Sequence, residues 1–267
     1  MAGPGGKPAE FVESLGKGIA ILENFDAAHP EMTLSEVARR AGLTPAAARR
    51  SLITLAALGY VRQSGKRFHL APKIMTLGSS FYFSSGIDEV MQPELRGLVE
   101  RFGDASSIAT LDGDDVIYIA HYSQQRARRA AATVGAIYPA FATSMGRVLI
   151  AAMDEKDREN WLAQLDPVAL TSKTCTDKEA LRGELERVRG DGYATTVDQL
   201  DYGITAIAVP IRDQEGNTIA ALNSSGYSGI VDPEKLIRER LPELRVTASH
   251  IAHQLTRYPI LASALRR

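Results

Sequence analysis

The chain has 267 residues, 45% of them hydrophobic and 24% charged, with a formal net charge of -1 at pH 7. These values fit a folded protein with room for two domains and exclude disordered, collagen-like and disulfide-stapled classes. Its one cysteine, Cys175, can form no intrachain disulfide, which fits a reducing cytoplasm, and no apolar run approaches the ~20 residues of a membrane-spanning helix.

In chain order, "MAGPGGKPAE" has no apolar segment after its charge, so no signal peptide is read, and residues 1–9 are expected to be a disordered tail. Leu15, Ile19, Ile21, Leu22 and Phe25 recur at roughly helical spacing, and "AAHPEM" breaks that pattern. Thr33 with Glu36 three residues later is a capping-box pair that opens a short helix. Gly42 stands where a left-handed helix end belongs. Thr44 then caps a second helix whose first position is Pro45, where the missing N–H costs nothing.

Two short helices across a tight Gly-Leu turn are a helix-turn-helix candidate. "YVRQSGKRFHLA" reads as a hairpin around Ser64-Gly65, with Val61, Phe68 and Leu70 facing inward, which makes a wing. Residues 33–73 hold eight Lys/Arg against the single acid Glu36, so this window is +7 and the remainder of the chain is -8. Such asymmetry points to double-stranded DNA as partner. Candidate DNA-facing residues are Ser35, Thr44, Ala46, Ala47, Arg49 and Arg50 on the two helices, and Lys66 and Arg67 on the wing. A winged helix that binds protein instead is the alternative.

"TLSEVARRAGLTPAAARRSLITLAALGYV" followed by "FHLAPKIMTLG" resembles the N-terminal domain of IclR-family bacterial transcriptional regulators. It is most similar to the branch controlling aromatic-acid catabolism, the protocatechuate and 4-hydroxybenzoate regulators. The resemblance spans nearly the whole chain after the tail. It implies domains at 10–71 (DNA-binding), 72–88 (a linker helix that also helps dimerise) and 89–267 (effector-binding). It also implies homodimers that pair into a dimer of dimers.

Beyond the linker, helix and strand patterns alternate. "SSIATLDGDDVIYIAHY" is a hairpin closed at Asp112-Gly113, residues 192–211 and 218–225 add strands, and residues 232–258 read as one long closing helix. The fold class is therefore α+β, with antiparallel strands and packed helices. The resemblance makes this second part a GAF-like effector domain.

Three groups in it are candidates for binding a small organic acid. In "GAIYPAFATSMGRVLIAAM" a helix starts near Ser144, and Thr143, Ser144, Met145 and Gly146 either form an ordinary cap or offer donors to a carboxylate. The resemblance favours the second reading, because this loop lines the effector cavity in the family. In the second group the family usually reads acid-Leu-acid where this chain has Gln199-Leu200-Asp201, and an amide there would repel an acid less if it faces the cavity. Ala206 stands where relatives often carry serine or cysteine, and Asn223 and Ser225 are either pocket donors or edge residues. Third, Tyr118 and Tyr138, with His121 and Tyr122 nearby, would suit a benzoate-like ring or simply pack.

His250 and His253 have no carboxylate or cysteine at ligand spacing, so no metal is expected, and no cofactor or nucleotide motif occurs. Ser144 has no evident activating base. The expected function is a ligand-responsive transcriptional regulator, not an enzyme; a small-molecule hydrolase fused to a winged helix is the alternative.

Overall fold

A computed structural model describes residues 8–84, 86–124 and 132–266. They fall into two compact units, divided after Ser84. Residues 1–7 of the expected tail lie outside the described residues.

The first unit runs α1 (Glu13–Glu23), β1 (Glu31–Thr33), α2 (Leu34–Arg40), α3 (Pro45–Ala57), β2 (Val61–Ser64), β3 (Arg67–Leu70) and, after a 3-10 turn at Pro72–Ile74, α4 (Met75–Ser84). Ile21, Met32, Val37, Ala38, Ala48, Leu52, Leu55 and Val61 form its core. Both helix starts are capped from the sequence: Glu36 N–H reaches the Thr33 hydroxyl while the Glu36 carboxylate accepts from Thr33 N–H at 2.7 Å, and Thr44 accepts from Ala47 N–H at 3.2 Å. Those Thr33 contacts hold the Glu36 carboxyl below its ordinary pKa. Gly42 takes φ +63°, and Leu43 N–H returns to the Ala38 carbonyl at 2.8 Å. The wing has three strands, in the order β1-β3-β2, because Glu31 and Met32 of the expected break, with the cap residue Thr33, pair with β3.

The second unit begins with α5 (Ile87–Val90) and α6 (Gln92–Phe102), so the expected linker helix over 72–88 stops at Ser84, and Gly86 turns the chain at φ +74°. It continues as β4 (Ala105–Asp112), β5 (Asp115–Ser123), β6 (Ile137–Pro139), α7 (Ser144–Ala151), α8 (Glu155–Gln164), α9 (Lys178–Asp191), β7 (Ala194–Val197), β8 (Ile204–Arg212) and β9 (Thr218–Tyr227). The six strands form one antiparallel sheet in the order β6-β5-β4-β9-β8-β7.

The single closing helix expected over 232–258 is instead two, α10 (Pro233–Glu239) and α11 (Leu241–Leu255), and α12 (Pro259–Leu265) follows beyond it. Pro242 cannot donate to the preceding turn, so the chain breaks there and α11 starts anew. At the break, buried Arg240 donates to the Ser224 hydroxyl at 2.9 Å and pairs with Asp104 at 3.2 Å, fastening this corner to the sheet.

α7 packs on one face of the sheet, with Met145 and Val148 in a common core with Ala109, Tyr118, Ala208 and Ala221. Alanines at these strand positions let the helix lie close. Gly146 takes this furthest, since a Cβ there would stand 2.1 Å from the Ala140 carbonyl oxygen.

Candidate functional site

On α3 the core takes Ala48, Leu52 and Leu55, which leaves Ala46, Arg49, Arg50 and Ile53 on the exposed face. Among the described residues, the Arg49 and Arg50 side chains make no hydrogen bond or ion pair. The Thr44 hydroxyl is spent on Ala47 N–H at the start of α3, and Ser35 is exposed on α2. Ile53, 58% exposed, is an addition that charge-based reading misses; its signal is an apolar residue four positions after Arg49 on a face that does not pack.

The two wing cations differ. Lys66 is exposed and makes no ion pair among the described residues, whereas Arg67 lies 3.5 Å from Glu31 and 3.9 Å from Glu36 and donates to the Glu31 carbonyl. Arg67 is thus held against the root of the wing.

In the second unit the start of α7 is a cap and something more. Thr143 accepts from Gly146 N–H at 2.9 Å, so the ordinary-cap reading holds for that pair, and Gly146 serves close packing on Ala140. Ser144 and Met145 follow, both buried; the Ser144 hydroxyl makes no hydrogen bond among the described residues. Tyr118 and Tyr138 meet edge to face with centroids 5.1 Å apart, and burial pushes both phenol pKa values up, Tyr138 adding to the shift of Tyr118. The Tyr118 hydroxyl also has no partner among the described residues, although the residue is buried.

Alternation along β9 places Asn223 and Ser225 on the same sheet face as core Ala221. Asn223 Oδ1 accepts from Ser107 N–H at 2.8 Å and Ser225 donates to the Ala105 carbonyl at 3.4 Å, so both sit within the sheet and not at its rim. Ala206 is paired with Ser225 on one side and Thr196 on the other, and both Ala206 and Thr196 are buried.

Gln199 does something the sequence does not disclose. Its Oε1 accepts from Arg147 Nη2 at 2.9 Å and from Cys175 N–H at 2.8 Å. Arg147, with a side chain only 2% exposed, also donates to the Phe141 carbonyl at 2.9 Å and lies 3.3 Å from Glu184. Burial lowers the Arg147 pKa and the Glu184 carboxylate pulls it back. One guanidinium therefore ties the loop before α7 to α9 and to the 198–203 loop. That loop is set by Asp198 at φ +53°, whose carboxylate accepts from Gly203 N–H at 2.6 Å and the Ser228 hydroxyl at 3.0 Å.

His250 and His253 are exposed on α11, and no group of three or more metal-ligating side chains occurs among the described residues. No described helix is long and apolar enough to cross a membrane.

Residues 14–65 match the IclR helix-turn-helix domain and residues 82–253 the C-terminal domain of bacterial transcriptional regulator IclR. The chain is 36% identical to the Pca regulon regulatory protein of Pseudomonas putida, covering 92% of this chain and 85% of the relative. It is 32% identical to the p-hydroxybenzoate hydroxylase transcriptional activator of Acinetobacter baylyi, over 91% of each. A solved IclR homolog from Microbacterium hydrocarbonoxydans, complexed with 4-hydroxybenzoate, superposes with a TM-score of 0.74 at 25% identity, covering 91% of this chain and 99% of that one. These relatives are regulators and lend nothing to the fused-hydrolase alternative. The winged helix-turn-helix, the curled antiparallel sheet and these matches place the chain in the IclR family of bacterial transcriptional regulators, as a DNA-binding regulator with an effector domain and not an enzyme.

Proposed function

We propose that this regulator senses an aromatic carboxylic acid in the cytoplasm and controls genes for its catabolism. The observation that carries this reading is the set of unmatched polar atoms around α7. The hydroxyls of Ser144 and Tyr118 belong to buried residues and have no partner among the described residues. Each hydroxyl can give and take a hydrogen bond with a ligand that reaches it. The start of α7 favours an anion, and Tyr118 and Tyr138 offer ring faces and edges beside it. The kinship with a p-hydroxybenzoate regulator and with a 4-hydroxybenzoate complex supports the same ligand class.

The operator is read by α3, inserted in the major groove with Arg49 and Arg50 on base edges or phosphates, while Lys66 touches the backbone. The protein acts as a homodimer, with two recognition helices on half-sites about one helical turn apart, and dimers pair into tetramers. Met75 and Leu77, both exposed on α4, support a pairing role for that segment. The DNA-binding domain is taken as 10–71, a linker as 72–84, and the effector domain as the remainder from Ile87. The ligand acts through differential affinity for the DNA-competent and incompetent arrangements.

Calorimetry with 4-hydroxybenzoate and with its uncharged amide tests the effector claim. The acid is expected to bind at least tenfold more tightly, about 1.4 kcal/mol. Equal affinities would remove the anion site, and Ser144→Ala should weaken the acid by roughly ten- to a hundredfold if its hydroxyl touches the carboxylate.

A further inference from the structure

The end of α3 is closed by its own backbone and then clasped by a side chain from the linker. Gly59, at φ +82°, returns its N–H to the Ala56 carbonyl at 3.0 Å, and Tyr60 N–H reaches the Leu55 carbonyl at 2.9 Å. The Leu58 carbonyl accepts from Lys73 Nζ at 2.9 Å. The lysine stem passes Gly59, where an added Cβ would stand 3.6 Å from Lys73 Cδ. Its ammonium lies 5.0 Å from the centre of the Tyr60 ring. Beside this contact, Ala71 N–H donates to the Tyr60 carbonyl at 2.8 Å. The three residues that end α3 are therefore bonded to the three that begin the linker.

A cation suits this place. The last carbonyls of a helix carry partial negative charge, and the face of an aromatic ring adds a second attraction. Lys73 belongs to the basic window of residues 33–73, yet its ammonium is spent on the helix end. The junction continues rigidly from there. Pro72 has a fixed φ, Ile74 N–H returns to the Ala71 carbonyl at 3.0 Å, and the Thr76 hydroxyl donates to the Lys73 carbonyl at 2.8 Å. α4 then runs on with Met75 and Leu77 exposed. The direction in which the linker leaves α3 is thus set by a bonded turn and not by a free hinge.

We propose that Lys73 is a positioning residue for operator reading: its clasp on α3 fixes the angle between the recognition helix and the pairing linker, and so sets the half-site separation that the dimer accepts. This rests on the reading of α4 as the segment through which two copies pair. One base pair added or removed between half-sites moves one of them by ~3.4 Å along the duplex and ~35° around it. A rigid junction resists that displacement, and a loosened one follows it. Lys73 acts through α3 and α4 and touches no phosphate itself.

The test uses the full chain with the operator it selects from a random-sequence pool, and with two versions whose half-sites are one base pair closer or further apart. Anisotropy titrations compare the parent with Lys73→Met, which keeps the stem but removes the ammonium, and with Lys73→Arg, which restores a charged donor. The parent is expected to bind each altered spacing about tenfold or more weakly than its own operator. In Lys73→Met that discrimination should fall by about threefold or more for at least one spacing, with Lys73→Arg close to the parent. A smaller fall in Lys73→Met, or a Lys73→Arg as relaxed as Lys73→Met, overturns the proposal and leaves linker pairing standing. A salt slope reduced by about 0.9 in Lys73→Met overturns it too, since Lys73 would then be a phosphate contact. A parent indifferent to both spacings overturns the pairing reading and the proposal together. Lys73 is exposed, and each ratio compares DNAs on one protein preparation, so a partly inactive variant leaves the ratio unchanged.

Discussion

Arg147 donates a 2.9 Å hydrogen bond from Nη2 to Gln199 Oε1, and this pair joins the start of the buried helix α7 to the 198–203 loop. The amide oxygen is therefore committed to a protein cation and does not relieve repulsion of a ligand by standing free in the cavity. Gln199→Ala leaves a buried guanidinium short of one acceptor, and a loss of ~1–3 kcal/mol is expected. Gln199→Glu keeps the geometry and adds a charge-assisted bond, so its unfolding midpoint should lie at or above that of the parent. Thermal unfolding of both variants decides this; an unchanged midpoint in Gln199→Ala would show that the contact contributes nothing.

The wing predicts an asymmetry. Lys66→Ala should reduce the salt dependence of operator binding by about 0.9 in the slope of log affinity against log salt, the amount for one phosphate contact. Arg67→Ala should leave the slope nearly intact and lower stability slightly, within the ~0.2–1 kcal/mol of exposed ion pairs, because Arg67 is engaged with Glu31 and Glu36. Anisotropy titrations over a potassium chloride series measure both. Equal slope changes in the two variants would mean Arg67 swings away from its acids to meet DNA.

On the recognition helix, Arg49→Ala/Arg50→Ala should abolish specific binding, with ~1–3 kcal/mol lost for each good base contact. Ile53 is exposed on the same face, and its natural partner is a thymine methyl. Replacing each operator thymine in turn by deoxyuridine should then cost ~0.8 kcal/mol at one position, and Ile53→Ala should erase that difference. Full tolerance of deoxyuridine at every thymine in the parent protein would remove Ile53 from base reading.

His121 gives the effector domain a pH signature. Its folded pKa lies below the ordinary 6.5 because burial disfavours the imidazolium. Above about 6.5 both folded and unfolded states are neutral there, and no stability difference arises. As pH falls below that value the unfolded chain takes the proton first, so stability declines until the folded ring titrates. The unfolding midpoint should drop in that window, and His121→Phe should flatten the drop. An identical pH profile in the variant would assign the drop to other groups.

Much of the first unit was legible because its signals are local. The Thr33/Glu36 box, Thr44-Pro45 and Gly42 act within one helical turn of themselves. β1 was not, since three residues become a strand only by pairing with β3, as Glu31 does with His69. The break at Pro242 is hidden for a different reason: proline is tolerated in a first helical turn, and only the inward turn of Arg240 shows that a new helix starts.

In the effector domain the helix start, Tyr118, Tyr138 and Asn223 could be picked out by residue type. Arg147 had a signal, one cation inside the apolar run "SMGRVLIA", but two of its three partners, Glu184 and Gln199, come from distant segments. The His121–Ser107 contact depends on a one-residue bulge, and periodicity cannot reveal that.

The most direct test of the central claim joins the two units in one assay. The full-length protein first selects its own operator from a random-sequence DNA pool, and binding to that operator is then titrated with and without saturating 4-hydroxybenzoate or protocatechuate. The account predicts that at least one acid changes operator affinity by about fivefold or more, in either direction, and that saturating operator changes affinity for that acid by the same factor. An acid that calorimetry shows to be bound, yet leaves operator affinity unchanged, would contradict the reading of this chain as a regulator controlled by that ligand.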